Sequence, residues 1–80
     1  MWKERNSPKR IEKRFEFVRY QSISNFMEKI DYLCKEKRIF PNISFGKNFV
    51  SITIFIEEQT IHLDEKNFSI EIDKIFESVN

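Results

Sequence analysis

Few of the residues that usually build active sites occur in this chain of 80 residues. It contains one histidine, one cysteine and one glycine. Because Cys34 is alone, an internal disulfide is excluded, and we expect an intracellular, reducing compartment. The sequence has no glycine-rich phosphate loop, no Cys or His pair at metal-ligand spacing, and no nucleophile with a plausible base. It therefore predicts no catalytic residue, no metal site and no cofactor.

Long apolar runs are also missing from the sequence. No stretch approaches the roughly 18 consecutive apolar residues of a membrane span. The N-terminal residues lack the apolar segment of a secretory signal. We expect a soluble, cytoplasmic protein with no membrane partner.

Net charge is only +1, but the charges are unevenly distributed. Residues 1–14 carry six cations against two acids, a local charge of +4, and residues 57–80 carry seven acids against two lysines, a local charge of −5. This polarity either orients a partner or a second copy of the chain, or simply marks two solvated faces. Since exposed aromatic side chains are not interleaved with the basic residues, no nucleic-acid partner is predicted.

The length predicts a single domain over residues 1–80. A chain this short removes about 60% of its extended surface on folding, so its core is marginal and self-association is a common remedy. Nine Phe, two Tyr and one Trp are many large apolar groups for one small interior. Some of them are therefore candidates for burial between subunits.

In the first half of the chain, the spacing of the apolar residues changes from that of a strand to that of a helix. Residues 11–20 alternate as in a strand, with Phe15 and Phe17 on one face. A helical stripe follows, with Ser22 as its predicted N-cap and an end before Phe40-Pro41. The members of that stripe are Ile23, Phe26, Met27, Ile30, Leu33 and Cys34.

The second half predicts a hairpin and another helix. Its strands lie near 42–46 and 49–57, around the turn-forming residues Gly46, Lys47 and Asn48. Asp64 is the predicted cap of the second helix. The apolar stripe of that helix comprises Phe68, Ile72, Ile75, Phe76 and Val79. The expected fold is a two-layer α+β domain in which two helices pack on one face of an antiparallel sheet.

Four titratable residues have plain structural interpretations. His62 is expected on the surface or in a loop. Glu57 and Glu58 are neighbours on a strand end and point to opposite faces, so they are poorly placed as an acid and base pair. Cys34 lies on the apolar helix stripe, where a thiol behaves as a small hydrophobe.

Several segments resemble pterin-4a-carbinolamine dehydratase, and they cover nearly the whole chain. They are Arg14–Phe17, Asn25–Met27, Phe40-Pro41, Val50–Ile54 and Leu63–Lys66. That family is known for a His-His-Pro run before the hairpin and a third His at the end of the long strand. The corresponding positions here are Ile39, Phe40 and Glu57, so the resemblance implies loss of the proton-transfer groups that dehydration needs. The chain is therefore predicted not to be an enzyme.

A degenerate branch of that superfamily is more similar to this chain. The hairpin sequence from Phe40 to Gly46, followed by Val50–Ile54, resembles the dehydratase-like RuBisCO assembly factor of α-carboxysomes. The resemblance implies a cytoplasmic, carboxysome-associated homodimer that assists folding or assembly of the RuBisCO large subunit. It does not distinguish a dimer from a higher oligomer, since a strand edge or a helix face can pair.

The partner contact is predicted at the hairpin, while two alternatives stay open. The predicted contact residues are Phe40, Pro41, Asn42, Ser44, Phe45, Gly46, Lys47 and Asn48. Ile39 and Phe40 either form an apolar patch with Phe45 or fill a vestigial pocket. Two other functions stay open under the resemblance. One is a dehydratase or pterin-binding protein, and the other is a dimerisation cofactor in transcription.

Overall fold

Four strands and two helices make up the part of the chain that the computed structural model describes, residues 1–56 and 62–79. In chain order they are β1 (Lys3–Arg5), β2 (Arg10–Glu16), α1 (Tyr20–Lys37), β3 (Asn42–Phe45), β4 (Phe49–Phe55) and α2 (His62–Val79). The strands form one antiparallel sheet in the order β1-β2-β4-β3. Both helices pack on one face of this sheet, so the predicted two-layer α+β fold is confirmed.

The core lies between the helices and the two central strands. On β4, every second residue is buried as the alternation predicts, and Val50, Ile52 and Ile54 are at most 1% exposed. Phe15 on β2 pairs with Val50, which places both side chains on the helix-facing side. The helices bury the predicted stripes above them, including Ile23, Phe26, Ile30, Leu33 and Cys34 of α1 and Phe68 and Ile72 of α2.

An aromatic cluster holds α1 against the sheet. The ring of Phe26, which is fully buried, lies 5.1 Å from that of Phe15 and 5.2 Å from that of Phe17. Phe76 of α2 closes the cluster at 5.0 Å from Phe15. Each fully buried Phe contributes about 1.5–3 kcal/mol relative to an exposed one. The packing of both helices on the sheet therefore depends on these rings.

Helix α1 begins earlier than the sequence predicts. Its N-cap is Arg19, in extended backbone conformation (φ −116°, ψ 137°) and without a capping side chain. The predicted cap, Ser22, instead lies in the first turn and donates its backbone N–H to the Arg19 carbonyl at 3.1 Å. Strand β2 also ends sooner, at Glu16. The Phe17 N–H still donates to the Asn48 carbonyl at 2.8 Å, but Tyr20 already belongs to the helix.

Helix α2 also begins before its predicted cap. Its first residue is His62, two positions ahead of Asp64, so the backbone of His62 belongs to the helix and not to a loop. The predicted surface exposure of its side chain lies outside what the structure describes. The last residue of β4 is Phe55, whereas the strand was expected to reach residue 57. Glu57 and Glu58 lie outside the described residues. Neither helix of the described ranges has the length and apolar character needed to cross a membrane.

The edge strand β1 was not predicted. All of its residues, Lys3–Arg5, are exposed and charged, so the segment lacks the apolar alternation that marks a strand. Trp2 precedes it and packs edge-on against the buried Phe15, with ring centroids 5.9 Å apart. The polar N-terminal segment is thus fastened to the core by its one aromatic residue.

Candidate functional site

A residue in the left-handed backbone conformation ends α1 and sets the direction of the chain that follows. Arg38 has φ 57° and ψ 39°, and its N–H donates to the Cys34 carbonyl. The N–H of Ile39 also donates to that carbonyl, at 3.2 Å. This backbone arrangement satisfies the free carbonyls of a helix end, a role that glycine usually has. It reverses the chain and brings Ile39 back toward the core.

Ile39 and Phe40, which the sequence resemblance aligns with the family's paired histidines, have different environments. Ile39 is half-buried and packs against the core. Phe40 is 72% exposed. One residue therefore contacts the interior and the other offers an apolar ring to solvent.

A groove of about 690 Å³ lies between the end of α1 and the first half of α2. We call it the α1–α2 groove. Ile39, Phe68 and Ile70 supply its apolar surface. Charged and polar side chains complete its lining, namely Glu36, Lys37, Arg38, Glu65, Asn67, Glu71 and Lys74. Its volume falls within the range of ligand and peptide sites in proteins.

The polar groups available in the α1–α2 groove are carboxylates, amines, one guanidinium and one amide. No histidine lines the groove among the residues that the structure describes. Glu65 is buried at 6% exposure, whereas Glu36 is exposed. Glu57, which the sequence resemblance aligns with the third histidine of the family, lies outside the described residues. Within residues 1–56 and 62–79 no cluster of His, Cys, Asp or Glu is placed to hold a metal ion.

The tip of the β3–β4 hairpin is shaped by a close contact between Gly46 and Phe49. The Gly46 N–H donates to the Phe49 carbonyl at 3.0 Å. A methyl group on Gly46 would overlap the Phe49 ring at Cε1. The guanidinium carbon of Arg14 lies 4.0 Å from the centroid of that ring. Because the φ of Gly46 is not positive, its backbone conformation does not call for glycine. The space taken by the Phe49 ring does.

The predicted contact residues of the hairpin do not form one patch. Phe40 precedes β3 and Phe45 ends it, so they lie at opposite ends of this edge strand. Asn42 and Phe45 alone are about 10 Å apart along the strand. Phe45, at 53% exposure, shares the helix-facing side with Val50, whereas Ser44 pairs with Ser51 on the opposite side. Phe40 and Phe45 are therefore separated along the edge of the sheet, and every predicted contact residue except Pro41 and Gly46 is exposed.

The α2 side of the groove was missed by the sequence analysis. Ile70 is 51% exposed and borders the buried stripe of α2, and Asn67, Glu71 and Lys74 join it there. An exposed Ile on a helix that also buries Phe68 and Ile72 is a weak signal by itself. Only the placement of α2 beside Ile39 makes it part of a site.

Solved structures of other proteins share this fold. No protein-family profile matches the chain, and no curated protein matches its sequence. A solved pterin dehydratase-like protein, described as a RuBisCO assembly factor in the alpha-carboxysome, superimposes with a TM-score of 0.85. It is 29% identical, over 94% of this chain and 88% of that one. The fold is that of the pterin dehydratase-like proteins.

A second pterin dehydratase-like structure supports the fold alone. It is a transcriptional coactivator/pterin dehydratase from Brucella melitensis, with a TM-score of 0.79 and 18% identity. The match covers 92% of this chain and 80% of the other. The resemblance predicted from the sequence is thus confirmed at the level of the family's fold.

Proposed function

We propose that this pterin dehydratase-like chain is a non-catalytic assembly factor for RuBisCO that acts by binding the large subunit. The observation that carries the proposal is the likeness to an assembly factor of the alpha-carboxysome over 94% of the chain at a TM-score of 0.85. We further propose a cytoplasmic location with carboxysome association. Fold alone does not imply function, so the site must support this role independently.

The surface around Ile39 and Phe40 supports protein binding. Under the family resemblance, two proton-transferring histidines are replaced by apolar side chains, one half-buried and one 72% exposed. An exposed aromatic ring beside a groove with a charged rim is the arrangement that protein interfaces favour. We propose Phe40 as the anchor and the α1–α2 groove as the adjoining contact.

Exposed apolar residues elsewhere favour self-association as part of the proposal. Val18 is 96% exposed and Tyr20 58% exposed at the start of α1, and Phe55 is 43% exposed at the end of β4. So many exposed large side chains on a small domain are typical of a surface that another chain covers. Light scattering coupled to size-exclusion chromatography should give the mass of a homodimer or higher oligomer. A strictly monomeric chain would contradict the proposed self-association.

Co-expression tests the proposed role directly. The chain is produced with the large and small subunits of a RuBisCO from an α-carboxysome host, and assembled holoenzyme is quantified on native gels. We expect more holoenzyme with the chain than without it. An unchanged yield, with the chain folded and soluble, would contradict the proposal.

A pair of variants tests whether Phe40 is the anchor. Phe40→Asp places a charge at a residue that is 72% exposed, and Tyr32→Asp does so on α1 at a residue that is 73% exposed. Since neither side chain is part of the core, both variants should keep their far-UV circular dichroism. Phe40→Asp should lower holoenzyme yield toward the level without the chain, and Tyr32→Asp should not. Equal effects of the two would contradict the assignment of Phe40.

The dehydratase alternative is tested by turnover. Dehydration needs groups that exchange protons near neutral pH, and the groove residues described here include no imidazole. We expect the purified chain to leave the rate of quinonoid dihydropterin formation from a carbinolamine at the uncatalysed background. A rate that rises in proportion to chain concentration would favour the enzyme.

A further inference from the structure

The face of the sheet opposite the helices carries an ordered set of polar residues, which we call the open face. Directly paired residues of neighbouring antiparallel strands point to the same face. One row across the sheet is Lys3, Glu12, Thr53 and Asn42, and the next is Arg14, Ser51 and Ser44. Arg5, Arg10 and Phe55 form a row at one end, and Glu16 and Phe49 at the other.

Cations exceed carboxylates on the open face. Lys3, Arg5, Arg10 and Arg14 face Glu12 and Glu16, so four cations against two carboxylates leave a net charge of +2. Both carboxylates are engaged, since Arg5 Nε lies 2.8 Å from Glu12 Oε1 and Arg14 Nε lies 3.0 Å from Glu16 Oε1. Lys3 makes no ion pair within the described residues. The surplus of positive charge is thus available to a ligand.

The centre of the open face is a shallow trough. Its small residues, Ser51 and Thr53 on β4, leave a cavity of about 330 Å³ bordered by Lys3, Glu12 and Arg14. The hydroxyl groups of both residues form no hydrogen bond within the described ranges. They therefore offer hydroxyl donors in the same trough as Lys3, one strand beyond Glu12, and a carboxylate can accept hydrogen bonds from both kinds of group.

Aromatic residues lie on the open face at both ends of β4. Phe49 and Phe55 lie on the same face of β4, six residues apart, which corresponds to about 20 Å along an extended strand. Phe55 is 43% exposed, and Phe49 is half-buried beneath Arg14. A partner strand lying alongside β4 would therefore need about six extended residues to reach from one position to the other.

We propose that the open face binds an extended acidic segment of a partner polypeptide. Carboxylates of the segment bind Lys3 and Arg14 and accept hydrogen bonds from Ser51 and Thr53, while its apolar residues contact Phe55 at the rim. The occupant is assigned by charge complementarity, since the face has a surplus of cations and unused donors. This inference does not depend on which protein is the partner of the α1–α2 groove.

A polypeptide fits this face better than a nucleic acid does. A phosphate backbone places a negative charge at every nucleotide, and Glu12 and Glu16 interrupt the basic residues of β2 on this face. A peptide can place carboxylates beside Lys3 and Arg14 and neutral residues beside the two acids. The test therefore includes a single-stranded oligonucleotide as a competing ligand.

Fluorescence polarisation of labelled probes tests the inference on the whole chain. The probes are a peptide of alternating Glu and Ser, its Lys and Ser counterpart, and an oligothymidylate of the same length. We expect the acidic peptide alone to bind measurably at low ionic strength and to weaken as salt is raised. Absence of binding by the acidic peptide, or stronger binding of the oligonucleotide, would overturn the proposal.

Matched charge reversals locate the binding. Lys3→Glu acts on the open face and Lys29→Glu makes the same change on an exposed residue of α1. Ser44→Glu introduces a carboxylate at an exposed position of β3 that also faces the trough, so it serves as a second variant if Lys3→Glu perturbs the edge strand. The dissociation constant should rise about tenfold in the open-face variants and stay within about twofold in Lys29→Glu. Equal weakening in all three would mean nonspecific charge attraction and overturn the assignment.

Discussion

The indole N–H of Trp2 donates to the carboxylate of Asp73, at 3.1 Å from Oδ1 and 3.2 Å from Oδ2, across 71 positions of sequence. Lys13 Nζ lies 2.8 Å from the same Oδ1 atom. One carboxylate on α2 thus connects the residue before β1 with the inward face of β2. Since both partners are half-buried, this arrangement fixes the N-terminal segment and α2 relative to the sheet.

Removing the indole donor should destabilise the fold. Trp2→Phe keeps a ring against Phe15 but loses the N–H, and we expect the free energy of unfolding to fall by about 1–2 kcal/mol. Urea denaturation measures the change. In an Asp73→Ala background the same substitution should cost much less, because the acceptor is already gone. Equal costs in both backgrounds would show that the hydrogen bond contributes nothing.

The left-handed turn at Arg38 should be improved by glycine. A side chain at φ 57° costs about 1–2 kcal/mol that glycine avoids, so Arg38→Gly should stabilise the chain by about 1 kcal/mol. The matched control is Lys37→Gly, one residue earlier and still helical, which should destabilise it by up to about 1 kcal/mol. The midpoints of thermal or urea unfolding show whether each variant is more or less stable than the wild type. A loss of stability in Arg38→Gly would contradict the prediction.

Gly46 and Phe49 should be energetically coupled. Gly46→Ala places a methyl group on the Phe49 ring, and we expect a loss of about 1–3 kcal/mol from the forced displacement. In a Phe49→Ala background the ring is absent, so the same change should cost less than about 0.5 kcal/mol. A double-mutant cycle by urea denaturation measures the coupling. Additive costs would refute the steric explanation.

Burial raises the pKa of the Cys34 thiol, and the nearby Asp31 charge raises it further. The folded protein therefore favours the neutral thiol. This contribution is fully present below the ordinary pKa of 9.0 and is lost as pH rises through the higher folded value. The stability difference between the wild type and Cys34→Ala should shrink with rising pH in that alkaline range. Alkylation by iodoacetamide near neutral pH should be slow, and rapid labelling of folded protein would contradict this.

The apolar periods predicted most of the fold because burial enforces them. Phe26 and Ile30 of α1 and Ile52 and Ile54 of β4 are buried where the pattern places them. Element starts were less predictable. Since α1 begins without a capping side chain, nothing at Arg19 distinguishes it from its neighbours.

The candidate site was only partly predictable. The sequence identified Ile39 and Phe40, but not that one turns inward and the other outward. That division depends on a left-handed Arg38, and arginine gives no signal for this conformation, unlike glycine. The open face could not be predicted from the sequence either, because the rows across it join residues from strands that are distant in sequence.

The two edges of the sheet differ in a way that limits its growth. Along β1 every residue is charged and exposed, whereas β3 carries the uncharged sequence Asn42-Ile43-Ser44-Phe45. Charged edges resist the addition of further strands, and uncharged edges permit it. Open-ended polymerisation requires two receptive edges on each molecule. A sheet with one uncharged edge can pair there with a single copy of itself. Because the charged strand β1 at the other edge resists further strands, the sheet cannot grow into a fibre.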